Sequence, residues 1–226
     1  MKRVITVLLA VLLALSLAAC GSRVETKKLA GTWTCTVDAT DRMNAAAEQA
    51  LGLSAADGTA KMPLQLVLTV TEDGAYTLRY DSDAVRTALD AYAAALHPAA
   101  VESVYAAAEE QGLSREEYDA AMEKAGITMD DMVAAIFAGV DEEELLSLLT
   151  GRSAAITGYC RAESGQLYLA DTAADLTETA DCLSYTLSDG IMTWTDAQGE
   201  LSSQLTEEEQ ELLRVPLTWT KQEESK

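Results

Sequence analysis

The sequence predicts an α+β protein: an antiparallel, eight-stranded up-and-down β-barrel with an inserted helical bundle. Three observations carry that expectation. Apolar and polar residues alternate in eight short segments, the signature of half-buried strands. Two-residue turn signals, Asp73-Gly74, Ser164-Gly165 and Asp189-Gly190, join them pairwise. Between Asp83 and Thr150 the apolar period lengthens to about three and a half, as on helices. Closing such a meander removes the exposed edges an open sheet would leave. With 226 residues, 49% hydrophobic and 23% charged, the chain has the composition of a globular protein with material for a core.

The first strand is read from Leu29 to Val37, where Trp33, Cys35 and Val37 alternate with Thr34 and Thr36. Asp41 is expected to cap a short Ala-rich helix running to about Leu51. Leu64, Leu66, Leu68 and Val70 then mark a strand that turns at Asp73-Gly74 onto Tyr76–Tyr80. In the insert, residues 83–150, Val85, Leu89, Tyr92 and Leu96 form one helical stripe that Pro98 is expected to stop. Val101, Val104, Tyr105 and Ala108 form a second, ending near Gly112. Ser114 and Glu117 have capping-box spacing before Tyr118 and Met122, with Gly126 as the stop. Thr128 and Asp141 are expected to open two more helices, carrying Met132, Val133, Ile136 and Phe137, then Leu145, Leu146, Leu148 and Leu149.

Strand patterns resume with residues 153–161 and 166–171, paired across Ser164-Gly165, and residues 181–188 and 191–196, paired across Asp189-Gly190. After an acidic segment with Thr206 and Glu209 at capping spacing, Leu217 and Trp219 alternate with Thr218 and Thr220 in a last strand. Residues 29–221 thus read as one barrel domain interrupted by the insert, followed by a polar tail at 222–226.

Lys2 and Arg3 precede a run of 16 residues, Val4 to Ala19, broken only by Thr6 and Ser16, which has the form of a secretory signal and is short for a membrane span. Its end, Leu17-Ala18-Ala19-Cys20-Gly21, resembles the bacterial lipobox. The resemblance implies cleavage before Cys20 and fatty acylation of the new N-terminal residue, anchoring the chain to a bilayer on the extracytoplasmic side of a bacterial cell envelope. Residues 1–19 would then be the signal peptide, and residues 20–28 a polar tether of about 30 Å at full stretch. Removing 1–19, which hold Lys2, Arg3 and no acid, leaves 207 residues with a net charge of −23.

Gly31-Thr32-Trp33 at the start of the first strand, the hairpin segment Glu72-Asp73-Gly74-Ala75-Tyr76 and the final strand after a short helix resemble the lipocalin-like, or calycin, barrels. The resemblance covers residues 29–80 and 151–221. It implies that Trp33 closes one barrel end beneath a basic side chain from near the last strand, for which Arg214 and Lys221 are both candidates. The helical insert and the helix after the first strand depart from the pattern.

The chemistry-bearing inventory excludes most enzyme classes. There is no Gly-x-Ser-x-Gly elbow, no Gly-rich phosphate loop and no Cys-x-x-Cys pair. The single His97, beside Pro98, reads as a helix-terminal histidine, and one His with scattered cysteines makes no zinc set. The excess of 37 acidic over 16 basic residues argues against nucleic acid. The insert alone holds 15 acids and 3 bases. Asp141-Glu142-Glu143-Glu144 lacks the alternation and glycine of a calcium loop, and acids there and at Glu207-Glu208-Glu209 suit helix N-termini. Cys35, Cys160 and Cys182 fall on strands one, four and six, which are not neighbours, so no intrachain disulfide is expected and Cys35 is placed in the core. No catalytic residue, metal or cofactor is therefore expected. The functional expectation is a non-enzymatic lipoprotein acylated at Cys20, with a small apolar ligand held by Trp33, Leu66, Leu68, Tyr185, Leu217 and Trp219. Cys35, Val37 and Leu64 would face the same space; the competing expectation is that these side chains simply fill the barrel, as eight-stranded barrels often allow. The alternative is an interaction module in which the acidic insert docks a basic envelope protein.

Overall fold

The computed structural model describes residues 25–53, 60–137, 147, 155–177, 180–196 and 211–223. Eight antiparallel strands close into a barrel in chain order: β1 (Gly31–Asp38), β2 (Pro63–Val70), β3 (Ala75–Tyr80), β4 (Ile156–Glu163), β5 (Gln166–Ala170), β6 (Asp181–Ser188), β7 (Ile191–Asp196) and β8 (Leu217–Lys221). The last strand closes on the first, with Trp33 opposite Lys221 and Thr34 opposite Thr220. Alternation in the sequence becomes alternation of burial: Trp33, Cys35 and Val37 are buried, and so are Leu64, Leu66, Leu68 and Val70.

The turn signals act as their chemistry requires. Ser164-Gly165 and Asp189-Gly190 each take two consecutive positive-φ residues, 53° and 77°, then 49° and 76°, which matches the twist of the flanking strands. Gly74 has φ 91°, and a Cβ there would lie 2.4 Å from the Cys160 carbonyl oxygen, so only glycine lets β3 and β4 approach at this corner. These three tight turns share one rim. The longer connections, β1 to β2, β3 to β4, β5 to β6 and β7 to β8, leave from the opposite rim.

By contacts the chain divides into two compact units. The first comprises Met1–Cys35, Leu66–Tyr80 and Ala154–Lys226, and the second Thr36–Gln65 with Asp81–Ser153. The second unit carries helices α1 (Thr40–Leu51), α2 (Ser82–Glu110), α3 (Arg115–Ala125) and α4 (Met129–Phe137). Its small core joins Leu53, Ala100 and Val133, with Leu51, Val101, Met129 and Ile136 packed around them. Tyr92 donates to the Asn44 side chain at 2.7 Å, tying α2 to α1.

Four local expectations need correction. Asp41 does not cap α1. It lies in the first turn, and the Thr40 amide instead donates to the Asp38 carboxylate at 2.9 Å, while Gly52 ends the helix in the left-handed conformation. The helix expected to stop at Pro98 runs through it, as one helix of 29 residues capped by Asp81. Val85, Ala88, Tyr92, Leu96 and Ala100 form one buried stripe across the proline, whose ring stays exposed, so packing outweighs the lost hydrogen bond. His97 is accordingly not helix-terminal. It lies within α2 and pairs with Asp130 of α4 at 3.0 Å. Residues 25–29, the expected end of the tether and start of the first strand, are helical, with Thr26 and Leu29 buried.

The capping expectations at α3 and α4 hold. Ser114 and Glu117 form a reciprocal capping box and Gly126 a left-handed stop. The Asp131 carboxylate accepts from both the amide and hydroxyl of Thr128. The helix expected at Asp141 lies outside the described residues except for Ser147, which is helical, and the segments around Thr206 and Glu207–Glu209 also lie outside them.

Candidate functional site: the barrel interior

One end of the interior is built shut. The helical turn at residues 25–29 lies against the β4–β5 hairpin: the Ala162 amide donates to the Thr26 hydroxyl at 3.0 Å and the Ser164 amide to the Glu25 carboxylate at 2.7 Å. The Trp33 indole donates to the Leu29 carbonyl at 2.7 Å. On the same ring sits the Lys221 ammonium, 5.3 Å from its centroid, a cation–π contact. Gly31, at φ 126°, makes room for that lysine, since a Cβ there would lie 2.8 Å from Lys221 Cε. Of the two basic candidates the geometry selects Lys221; Arg214 is exposed and pairs with Glu211.

Beyond this floor the inward side chains of β6, β7 and β8 stack in layers set by register. Leu187, Met192 and Trp219 occupy the layer next to Trp33; Tyr185, Trp194 and Leu217 occupy the next. Met192 and Trp219 have no accessible surface, so they border neither solvent nor any enclosed space that would admit water. In the further layer the exposure is 9% for Tyr185, 5% for Trp194 and 6% for Leu217. Both layers are thus closely packed, and Leu183 and Leu64, further along β6 and β2, are fully buried as well. The Trp194 and Trp219 rings lie 4.8 Å apart at 47°.

The polar atoms of this interior are under-supplied. The indole nitrogens of Trp194 and Trp219 are buried without a hydrogen-bond partner among the described residues. Burial, with the Glu25 carboxylate and Cys160 adding to it, pushes the Tyr185 phenol up to about 12. Burial alone pushes the Cys160 thiol to about 12. The Cys35 thiol is raised by burial and partly lowered by a backbone hydrogen bond with Thr218. Cys35 and Cys160 are buried thiols, and Cys182 is a half-buried one.

The six residues expected to hold a ligand all lie on the inward, buried face of the wall formed by β6, β8, β1 and β2. Trp33 belongs to the floor, tied to Leu29 and Lys221. Tyr185 and Leu217 flank Trp194, and Trp219 stacks on it. Leu66 and Leu68 pair with Tyr80 and Leu78. Trp194 is the residue that the sequence reading missed. The signal was present: Met192 and Trp194 alternate with Thr193 and Thr195 in a strand whose bounds were recognised. Cys20 lies outside the described residues.

Outside the barrel interior, some acids of the insert link its helices. Arg115 bridges Glu102 and Glu109 and stacks on Tyr105, whose hydroxyl donates to Asp119. Among the described residues no group of three His, Cys, Asp or Glu side chains could hold a metal ion. No helix among them is long and apolar enough to cross a membrane. No protein-family model matches the chain, and comparison with curated proteins and with solved structures gives no significant match.

Proposed function

We propose that this protein is a lipid-anchored, non-enzymatic binding module of the bacterial cell envelope, acylated at Cys20, whose barrel takes a small, largely apolar ligand. The observation that supports the ligand reading is the closed eight-stranded barrel itself, with an apolar inward wall that includes Tyr185, Trp194 and Leu217 and one end sealed by Trp33, Leu29 and Lys221. Concave, apolar walls with a few polar groups are the usual form of a small-molecule site. The Leu17-Ala18-Ala19-Cys20 sequence supports the anchor, and with it the extracytoplasmic location.

Titration with the neutral fluorescent probe N-phenyl-1-naphthylamine tests the pocket. Saturable binding is expected, and Leu217→Trp, which adds bulk to the inward wall, is expected to weaken it at least tenfold while the circular dichroism of the fold is kept. Unsaturable binding, or saturation indifferent to Leu217→Trp, contradicts the reading. For the anchor, mass spectrometry of the protein extracted from bacterial membranes is expected to give an N-terminal peptide beginning at acylated Cys20, lost in Cys20→Ser.

A further inference from the structure

The chain that leads from Cys20 into the first strand is fastened to the sealed end of the barrel before the strand begins. The Glu25 carboxylate accepts from the Ser164 amide at 2.7 Å, and the Thr26 hydroxyl from the Ala162 amide at 3.0 Å, which fixes this turn on the β4–β5 hairpin. Lys27 pairs with Glu72 of the β2–β3 turn at 3.4 Å. Leu29 is buried, and its carbonyl accepts from the Trp33 indole. Of the tether expected over residues 20–28, five steps along the chain therefore separate Cys20 from the docked Glu25, a reach of about 17 Å at most. Strand β4 has eight residues. At about 3.3 Å per residue and a tilt of about 40°, such a strand gives the barrel wall a height of roughly 20 Å. A reach shorter than that height does not let the barrel turn over on its anchor.

From this geometry we infer that the sealed rim, formed by residues 25–29 and the three tight turns, is the face presented to the bilayer that carries the protein's own anchor. The inference rests on acylation of Cys20, proposed above. Charge points the same way. Glu25, Glu72, Asp73 and Asp189 on this rim stand against Lys27, Lys28 and Lys221, close to balance in a mature chain whose net charge is −23. Anionic headgroups attract lysines near them and repel acidic surface, so the repulsion is weakest with this rim toward the membrane. The opposite rim, where β5 gives way to the 3-10 turn Ala173–Asp175, then faces the aqueous phase.

Energy transfer to a bilayer tests the inference. Acylated protein extracted from bacterial membranes is inserted into vesicles of phosphatidylethanolamine and phosphatidylglycerol that carry a rhodamine-headgroup lipid. A donor dye is attached in a Cys182→Ser background either at Glu72→Cys, on the sealed rim, or at Ala174→Cys, on the opposite one; both positions are exposed. The transfer rate from position 72 is expected to exceed that from position 174 at least threefold. Ten Gly/Ser residues inserted between Val24 and Glu25 are expected to bring the two rates to within about 1.5-fold. Equal rates without the insertion, or a faster rate from position 174, overturn the inference and leave the anchor standing. A difference that survives the insertion also overturns it, because the short reach then does not set the orientation. If the protein extracted from membranes carries no acyl group at Cys20, the anchor reading fails and the inference with it.

Discussion

At the scale of single residues, the interior is characterised less by its apolar bulk than by the protons it holds. Cys160, with an ordinary thiol value of 9.0, and Tyr185, with an ordinary phenol value of 10.0, are both pushed to about 12. Below pH 9 the folded and unfolded chains carry the same proton on each group, and neither affects stability. Above it the unfolded chain releases these protons while the fold retains them, so the unfolded state binds fewer and stability falls as pH rises toward 12. Thermal unfolding between pH 7 and 11 is expected to give a midpoint insensitive to these two groups up to about pH 9 and declining above it, with a shallower decline in Cys160→Ala. An unchanged decline in that variant counts against the burial account. Sequence alternation showed which way Trp219 and Leu217 face, but whether an indole N–H finds an acceptor is a tertiary property. For that reason the orphaned donors of Trp194 and Trp219 could not be read from the chain, whereas the facing of their side chains could. The choice between Arg214 and Lys221 was likewise set by β1–β8 register, which local pattern does not encode.

Among the elements, α2 shows local propensity and packing in direct opposition. Pro98 removes one backbone donor and crowds the preceding turn, a cost of about 3 kcal/mol in a helix interior. The helix persists because Leu96 and Ala100 continue the buried stripe begun at Val85 and Tyr92. Pro98→Ala restores the missing donor on an exposed face and is expected to stabilise the protein by about 1–3 kcal/mol in urea unfolding, with no change in the number of transitions. Destabilisation instead would mean that the backbone geometry Pro98 imposes is needed for the contacts of Ala100 with Leu53 and Val133. The hairpins were legible for the opposite reason. At Asp189-Gly190 the two-residue turn, the period-2 strands and the burial pattern all demand the same geometry, and nothing opposes them. The α3 and α4 caps were legible because a capping box is complete within four residues of sequence.

On the scale of the whole molecule, the closed meander makes every strand a neighbour of the next and leaves β8 to close on β1. The eight-strand count and the tight turns were visible from the sequence. The helical turn at residues 25–29 was not, because it depends on Thr26 and Glu25 finding amides more than 130 positions away, on Ala162 and Ser164. The seam between first and last strands extends past the strands themselves: the Gln222 amide donates to the Thr32 carbonyl at 2.8 Å, and its side chain to the Thr34 hydroxyl at 2.7 Å. The end of the last strand therefore lies beside the start of the first, Gln222 against Thr32 and Thr34. A circular permutant that splices residue 223 to residue 25 through a short Gly/Ser linker, with new termini opened between Gly112 and Leu113, is expected to fold to the same barrel and keep the near-ultraviolet dichroism of its tryptophans.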